Sequence, residues 1–368
     1  MRNKKIALVF LGDYRFDGRS YNMIETLVNA QNFVDVIYRP CSDVVGLRSK
    51  YLKEITLNIS NKKFYKYLDW TKQVRAKIKN ANYDFLIASD LYSLLPICLI
   101  KSKAHIVYDS REIYSELFVN YQRPVRSSVI KKIEKHCIEK VSTVLVSADS
   151  DKKYLSKLYS HKKNINYYTI YNFPKNTNAN KKTNYLKTKY NIKNKNILLY
   201  QGVIQEGRGI GKMIQIIKNT SDLVGFIVGS GELRPHYVSQ VKKYKLEHKI
   251  YFINRVPYKK LLEITASADI GLALISSLSI SYKYALPNKL FEYAISGIPC
   301  LSSKLPNMQK FINKYKIGLC VEDDLRSCVD AINFLLTKKQ RLFYSKNKLS
   351  SSLSWSSQEK NFLNIFNQ

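Results

Sequence analysis

The chain has 368 residues and a mass of 42.8 kDa, which at roughly 150 residues per domain makes two globular domains with full-sized cores. Hydrophobic residues at 45% and charged residues at 24% exclude wholesale disorder and a fibrous repeat. Lys and Arg number 61 against 28 Asp and Glu, a formal net charge of +33, so the chain is expected to attract something polyanionic: nucleic acid, an anionic membrane face or a phosphorylated substrate.

Part of that charge has a blander source, because Lys is in excess together with Asn, Ile and Tyr, a joint signature of AT-rich coding. Met1-Arg2-Asn3-Lys4-Lys5 followed by the apolar run 6–11 mimics a signal peptide. Gly12-Asp13 ends the run too soon, and the segment reads as a first buried strand. Short apolar runs then alternate with amphipathic stretches, the pattern of βα units around parallel sheets. Strands are expected at 6–11, 34–38, 85–88, 105–108, 143–147 and 168–171, with helices at 21–30, 68–79 and 129–141. The last is amphipathic and basic, with Val129, Ile130, Ile133, Cys137, Ile138 and Val141 on one face and Lys131, Lys132 and Lys135 on the other. The apolar stretch 91–100 is broken by Pro96 and too short to span a bilayer, so no transmembrane helix is expected.

Around 173–195 the periodicity collapses into Pro174 and a run of Asn, Lys and Thr, which reads as a linker. A second series follows: strands at 197–200, 224–228, 250–252, 270–274 and 299–301, helices at 210–218, 233–246, 259–268 and 288–296, and a last amphipathic helix at 356–366. Two Rossmann-like domains in tandem result. The six cysteines, Cys41, Cys98, Cys137, Cys300, Cys320 and Cys328, form no CxxC and read as buried free thiols of a reducing compartment.

The first strand of the second half runs into Gly202, then Gly207-Arg208-Gly209, then a helix. Glycines at such a turn permit close backbone approach, and the helix N-terminus offers free N–H groups to a phosphate. Arg208 adds a fixed cation. A second glycine turn, Gly229-Ser230-Gly231-Glu232, follows the next strand at the same carboxyl edge, where open α/β sheets bind ligands. Each turn alone is equally an ordinary loop; together they favour a phosphorylated ligand. Neither keeps the GxGxxG spacing of a dinucleotide site, and no Walker sequence is present. In Pro287-Asn288-Lys289-Leu290-Phe291-Glu292-Tyr293, Asn288 is expected to cap a helix that carries Glu292 one turn in. That carboxylate can accept both hydroxyls of a ribose, or merely complement the helix dipole. The five histidines show no metal-binding spacing.

This block resembles the donor-site signature of family 4 glycosyltransferases, retaining enzymes of the GT-B fold. The residues that carry the resemblance are Gly202 with Arg208-Gly209, Gly229-Ser230-Gly231-Glu232, the segment 252–256, the run from Pro287 to Tyr293, and Gly297-Ile298-Pro299. The resemblance implies an α/β architecture of two doubly wound Rossmann-like domains facing a cleft. The acceptor-binding domain is 1–172, with a C-terminal helix 355–368 packed back on it, and the nucleotide-sugar domain is 173–354. It assigns the ribose to Glu292, the diphosphate to Arg208, and the base to backbone near Arg255 and Val256. Gly202, Gly209, Gly229, Gly231, Glu232, Asn288 and Lys289 complete the expected donor site.

Two positions depart from the family pattern. The glutamate usual eight residues before Glu292 is Tyr284, where Lys283 and Lys289 could compensate by charge. The N-terminal Asp-x-His-Glu segment reads Asp109-Ser110-Arg111-Glu112. An internal salt bridge from Arg111 to Asp109, Glu112 or Glu116 is one reading, and a grip on an acidic sugar or acceptor pyrophosphate the other. By the resemblance Asp109, Arg111 and Arg208 are the catalytic candidates, and Arg15, Asp17, Arg19 and Glu112 face the acceptor.

The expected reaction moves a sugar from a nucleotide-sugar to a glycan or polyprenyl-diphosphate-linked acceptor with retention, in bacterial surface polysaccharide synthesis (capsule, O-antigen or exopolysaccharide). The nucleotide-sugar is a substrate; no cofactor and no metal are expected. The expected setting is cytoplasmic, peripheral on the anionic inner face of the plasma membrane through the basic segments 62–79 and 123–140. A sugar-nucleotide epimerase of the same fold would need acid/base groups that the chain hardly shows. A nucleic-acid binder would explain the charge, but no zinc finger, RNP box or helix-turn-helix pattern is present, and no nucleic-acid partner is expected. Tyr284 and Arg111 together leave a degenerate, non-catalytic scaffold as the remaining alternative.

Overall fold

The structure, a computed structural model, describes residues 2–60, 62, 65–121, 123–175, 182–337 and 351–367. It divides into two compact units, Met1–Asn172 with Gln358–Gln368, and Phe173–Ser357.

The first unit is built on a wholly parallel sheet of seven strands: β1 (Lys5–Phe10), β2 (Phe33–Tyr38), β3 (Leu52–Thr56), β4 (Phe85–Ala88), β5 (His105–Ser110), β6 (Thr143–Val146) and β7 (Asn166–Thr169). Their order is β3-β2-β1-β4-β5-β6-β7, so the sequence winds outward in both directions from β1. Ile6, Ala7, Leu8 and Val9 are fully buried, which is why β1 is a continuous apolar run: helices cover both faces of a parallel sheet. Helix Tyr65–Ile78 contributes Trp70, Val74 and Ile78 to the core on one face. From Gln358 on, the C-terminal helix Ser356–Asn364 and the turn Ile365–Asn367 belong to this unit. Phe366 meets Phe85 edge-on at 5.1 Å, and Thr26 Oγ1 donates to Glu359 Oε1 at 2.7 Å.

The second unit repeats the plan with β8 (Asn196–Gln201), β9 (Leu223–Val228), β10 (Ile250–Ile253), β11 (Ile270–Ala273), β12 (Cys300–Ser303) and β13 (Gly318–Val321). The order is β10-β9-β8-β11-β12-β13, again parallel throughout. The direction of winding reverses between β8 and β11, and the crevice at such a switch point is where this architecture receives ligands.

Several expectations need correction. The described part of 173–195 is not a bare linker: it contains helix Tyr185–Lys189, whose Leu186 is fully buried, and Lys182 reaches Asp269 at 2.9 Å. Strand β7 begins two residues earlier than expected. The basic helix spans Pro124–Ile138, with Pro124 in its first turn. Its Val129 is half-exposed at 49%, whereas Glu134 is buried. The apolar stretch beyond residue 90 is a helix, Leu91–Cys98, capped by the Asp90 carboxylate on the Ser93 amide at 2.6 Å. Strands β3 and β13 and helices Asp149–Leu158, Pro306–Tyr315 and Leu325–Thr337 were not expected. All six cysteines are free, but Cys41 is exposed and Cys320 half-buried. No helix among the described residues is long and apolar enough to cross a membrane.

Candidate functional site

In the second unit, β8 and β9 end side by side in Gly202 and Gly229, with φ of +131° and +149°. The Gly202 amide donates to the Val228 carbonyl at 3.0 Å, and a Cβ on Gly229 would collide with the Gly202 carbonyl oxygen. The two turns are therefore in backbone contact, which only glycine allows at these angles. Gly231 packs equally tightly on the Ile204 carbonyl. Gly209, at φ +75°, is the N-cap of helix Ile210–Lys218 and supplies no side-chain cap, so that helix presents unsatisfied amides at its start.

Arg208 lies between these features. Its guanidinium carbon is 4.4 Å from the centroid of the Tyr282 ring. With the Gln205 amide oxygen turned toward it, Arg208 donates from Nε and Nη2 at 3.1 Å, and the same oxygen accepts from the Tyr282 hydroxyl at 2.6 Å. Tyr282 is held by Ser279, whose hydroxyl caps its amide at 3.2 Å. Among the described residues Arg208 is thus braced by groups that carry no negative charge.

Helix Asn288–Ser296 brings the other charges. Its N-cap position is Pro287, with no side-chain cap, and Asn288 is the exposed first helical residue, which corrects the expected Asn288 cap. Lys289 and Glu292, only 6% and 7% exposed, follow on one face. Lys289 Nζ sits 3.7 Å from the centroid of the Tyr200 ring and has no hydrogen-bond partner among the described residues. Burial, with Arg208 adding to it, holds its amino group well below the usual lysine range. Glu292 accepts from Gln201 Nε2, and Gln201 Oε1 accepts from Thr265 Oγ1 at 2.8 Å. Burial pushes the Glu292 carboxyl up to about 7 against the opposing pull of Gln201 and Lys289.

One arginine, one buried lysine, two glycine turns and two helix starts therefore meet near the carboxyl edge of β8, with the Glu292 carboxyl on the same helix as Lys289. Chemically this is a place for a doubly charged anion beside a hydroxylated group. Gln201, Thr265, Tyr200 and Tyr282 escaped the sequence reading; the only signal was a polar residue, Gln201, closing a strand that is buried from Ile197 onward. Glu232 and Arg255 are exposed, and Val256 is half-buried beyond β10. Tyr284 is 38% exposed, and its carbonyl accepts from Asn307 Nδ2 at 2.6 Å.

The first unit holds a different constellation. Asp109, at the end of β5, is fully buried. Arg19 grips it with Nε at 2.8 Å and Nη2 at 2.6 Å from Oδ1, and Arg111 Nε reaches Oδ2 at 3.0 Å. Arg19 also donates to Asn172 Oδ1 at 2.8 Å and to the Ile170 carbonyl. Arg111 donates to Asp17 Oδ1 at 2.8 Å and Ser20 Oγ at 2.7 Å, and stacks on Phe10. Burial raises Asp17, but the Arg111 charge and the Ser20 bonds outweigh it and hold the carboxyl below its usual range. Arg15 is likewise turned inward, onto Asp13 at 2.7 Å and the Ser42 carbonyl at 2.7 Å. Glu112 is exposed. The geometry assigns Arg111 the internal salt bridge, with Asp17 as an additional partner. Among the described residues no group of three or more His, Cys, Asp or Glu is placed to hold a metal ion.

The fold is that of GT-B glycosyltransferases. Over the whole chain it matches sucrose-phosphate synthase from Thermosynechococcus elongatus with a TM-score of 0.77 at 17% identity, covering 100% of this chain and 99% of that one. It matches Anabaena HepE in complex with UDP and glucose at 0.74 and 11% identity, covering 99% and 100%. WaaG, a glycosyltransferase involved in lipopolysaccharide biosynthesis, matches at 0.69 and 14%, covering 98% and 95%. Residues 182–350 match the family of glycosyl transferases group 1, so the resemblance read from the motifs holds over that range. No curated protein matches by sequence.

Proposed function

We propose that the protein is a glycosyltransferase that takes a sugar from a nucleotide-sugar, with retention at the anomeric carbon, and passes it to a glycan or lipid-linked acceptor in bacterial surface polysaccharide synthesis. The observation that carries this reading is Arg208, with no acidic partner among the described residues, and the buried Lys289, with no hydrogen-bond partner among them, at the glycine turns, with Glu292 one turn further along the Lys289 helix. A leaving diphosphate gathers negative charge as the glycosidic bond breaks. Preorganised amides at two helix starts and the fixed charge of Arg208 stabilise that charge, and the buried Lys289 amino group supplies a further donor. Glu292 fits the ribose hydroxyls, and Arg208 with Lys289 fits the diphosphate. The Anabaena neighbour bound to UDP and glucose supports a nucleotide-sugar as donor.

In the first unit the inward-turned arginines hold the loop after β1 to the end of β5, so Asp109 and Arg111 are proposed to shape that loop. Peripheral attachment to an anionic membrane is proposed through helices Tyr65–Ile78 and Pro124–Ile138. Tyr65 and Leu68 are 61% and 59% exposed, and Val125 is 78% exposed, among basic residues.

Thermal-shift measurements against UDP, GDP, ADP and CMP test the donor reading. A nucleotide that binds only the folded state adds about 2.7 kcal/mol at a hundredfold excess over its dissociation constant. One of the four is expected to raise the midpoint strongly; four flat traces would overturn the reading.

A further inference from the structure

Lys289 is more than nine-tenths buried, yet its amino group donates to nothing among the described residues. It is the second residue of a nine-residue helix whose N-cap offers no side chain, and it points over the Tyr200 ring toward the Gly202 turn, where a Cβ would lie 3.7 Å from its Nζ. The charged and titratable groups that face it come from three elements: Tyr200 on β8, Arg208 before helix Ile210–Lys218, and Glu292 one turn along its own helix. Tyr200 is spent on the Val203 carbonyl at 2.6 Å, and its burial keeps the phenol neutral. Glu292 is bonded to Gln201 and makes no ion pair with Lys289 among the described residues.

We propose that binding of a nucleoside diphosphate at this site is coupled to uptake of one proton by Lys289, an inference that rests on the donor-site reading above. Two ammonium-type charges close together away from water repel each other. Arginine cannot relieve that repulsion, because it keeps its proton at every working pH. Lysine can, and burial favours its neutral form. An incoming diphosphate reverses the balance: its oxygens accept from the amino group and its charge offsets both cations. Proton and nucleotide therefore bind with mutual assistance. Affinity is greatest on the acid side and declines as pH rises through the titration of Lys289 in the free protein.

Calorimetric titration of the full chain with UDP, GDP and ADP, run at one pH in two buffers of different ionisation enthalpy, reads the proton directly. The expected result is uptake of about one proton per nucleotide at mildly alkaline pH. Lys289→Arg, which stays charged, is expected to bind with no uptake, while Glu292→Gln is expected to bind more weakly with uptake retained. Circular dichroism checks that both variants are folded. Binding by the wild type with no buffer dependence, or uptake lost in Glu292→Gln and kept in Lys289→Arg, would overturn the proposal while leaving the donor site in place. If none of the three nucleotides binds, the donor reading fails and the proposal falls with it.

Discussion

Gln201 and Glu292 are joined by a buried hydrogen bond that ties the last residue of β8 to the helix beside it, and Thr265 in turn fixes the Gln201 amide. The relay orients the carboxyl without neutralising it. Burial therefore dominates, and Glu292 keeps its proton to about 7 instead of 4.5. Between those pH values the folded chain binds more protons than the unfolded chain at this position, so stability falls as pH rises through the window and is level above it. Glu292→Gln is expected to be more stable than the wild type above the window by on the order of 3 kcal/mol, and equal to it below. Urea unfolding on both sides of the window checks this; a stability difference that does not change with pH would refute it.

The same carboxyl should cost donor binding when removed. Glu292→Ala and Arg208→Ala are each expected to weaken the bound nucleotide by about 1–3 kcal/mol, the range for leaving a polar partner unpaired. Turnover at limiting donor falls with it. Wild-type turnover in both variants would mean that the donor lies elsewhere.

Gly229 and Gly211 make a matched pair. Gly229 sits at φ +149° with a Cβ aimed at the Gly202 carbonyl, whereas Gly211 lies inside helix Ile210–Lys218 with its nearest neighbour, Tyr237 Cε1, at 3.8 Å. Gly229→Ala is expected to open the two turns and abolish nucleotide binding. Gly211→Ala should stabilise by about 0.5–1 kcal/mol through helix propensity. Equal melting temperatures and equal nucleotide affinity for the two variants would contradict the assignment.

These contrasts explain how much the sequence disclosed. Gly202, Gly229 and Glu292 stood out because glycine turns recur on adjacent strands and a carboxylate follows one turn into a helix behind a proline. Lys289 could not be read as a buried cation, since the usual fate of a lysine is solvation and its burial depends on Tyr200 and on β8 packing beneath it. The inward turn of Arg19 onto Asp109, 90 residues away, is likewise a tertiary event with no local trace. Helix Leu91–Cys98 was hidden by Pro96, which the fold tolerates in a short, wholly packed helix. Edge elements such as β3, with exposed Lys53 and Glu54, lack the apolar run that marks the central strands.

Asp109 is fully buried and joins the buried Arg19 to the partly exposed Arg111, so breaking the cluster leaves the Arg19 charge buried without its carboxylate. Asp109→Asn is expected to destabilise the protein by about 3–5 kcal/mol, as for other buried pairs that lose one member. Arg111→Lys keeps the charge but loses the fork that spans Asp109, Asp17 and Ser20, so the melting temperature should fall while turnover per folded molecule and nucleotide affinity stay near wild type. If instead turnover collapses in a fully folded Arg111→Lys enzyme with an identified acceptor, Arg111 meets the acceptor itself.

The proposed attachment to membrane rests on charge and exposed apolar residues at the starts of two helices. Helix Tyr65–Ile78 carries Lys66, Lys72, Arg75 and Lys77, and helix Pro124–Ile138 carries Arg126, Lys131, Lys132 and Lys135. A basic residue close to an anionic surface contributes about 1 kcal/mol, and the attraction is screened within a Debye length of about 8 Å at physiological salt. The exposed Tyr65, Leu68 and Val125 add an apolar contribution that salt does not screen. Sedimentation with anionic vesicles at low salt, and partial release at high salt, is the expected pattern. Replacing Leu68 and Val125 with Ser should convert partial release into complete release, because only the electrostatic attraction then remains. Equal partition to neutral and anionic vesicles would remove the electrostatic basis of the attachment.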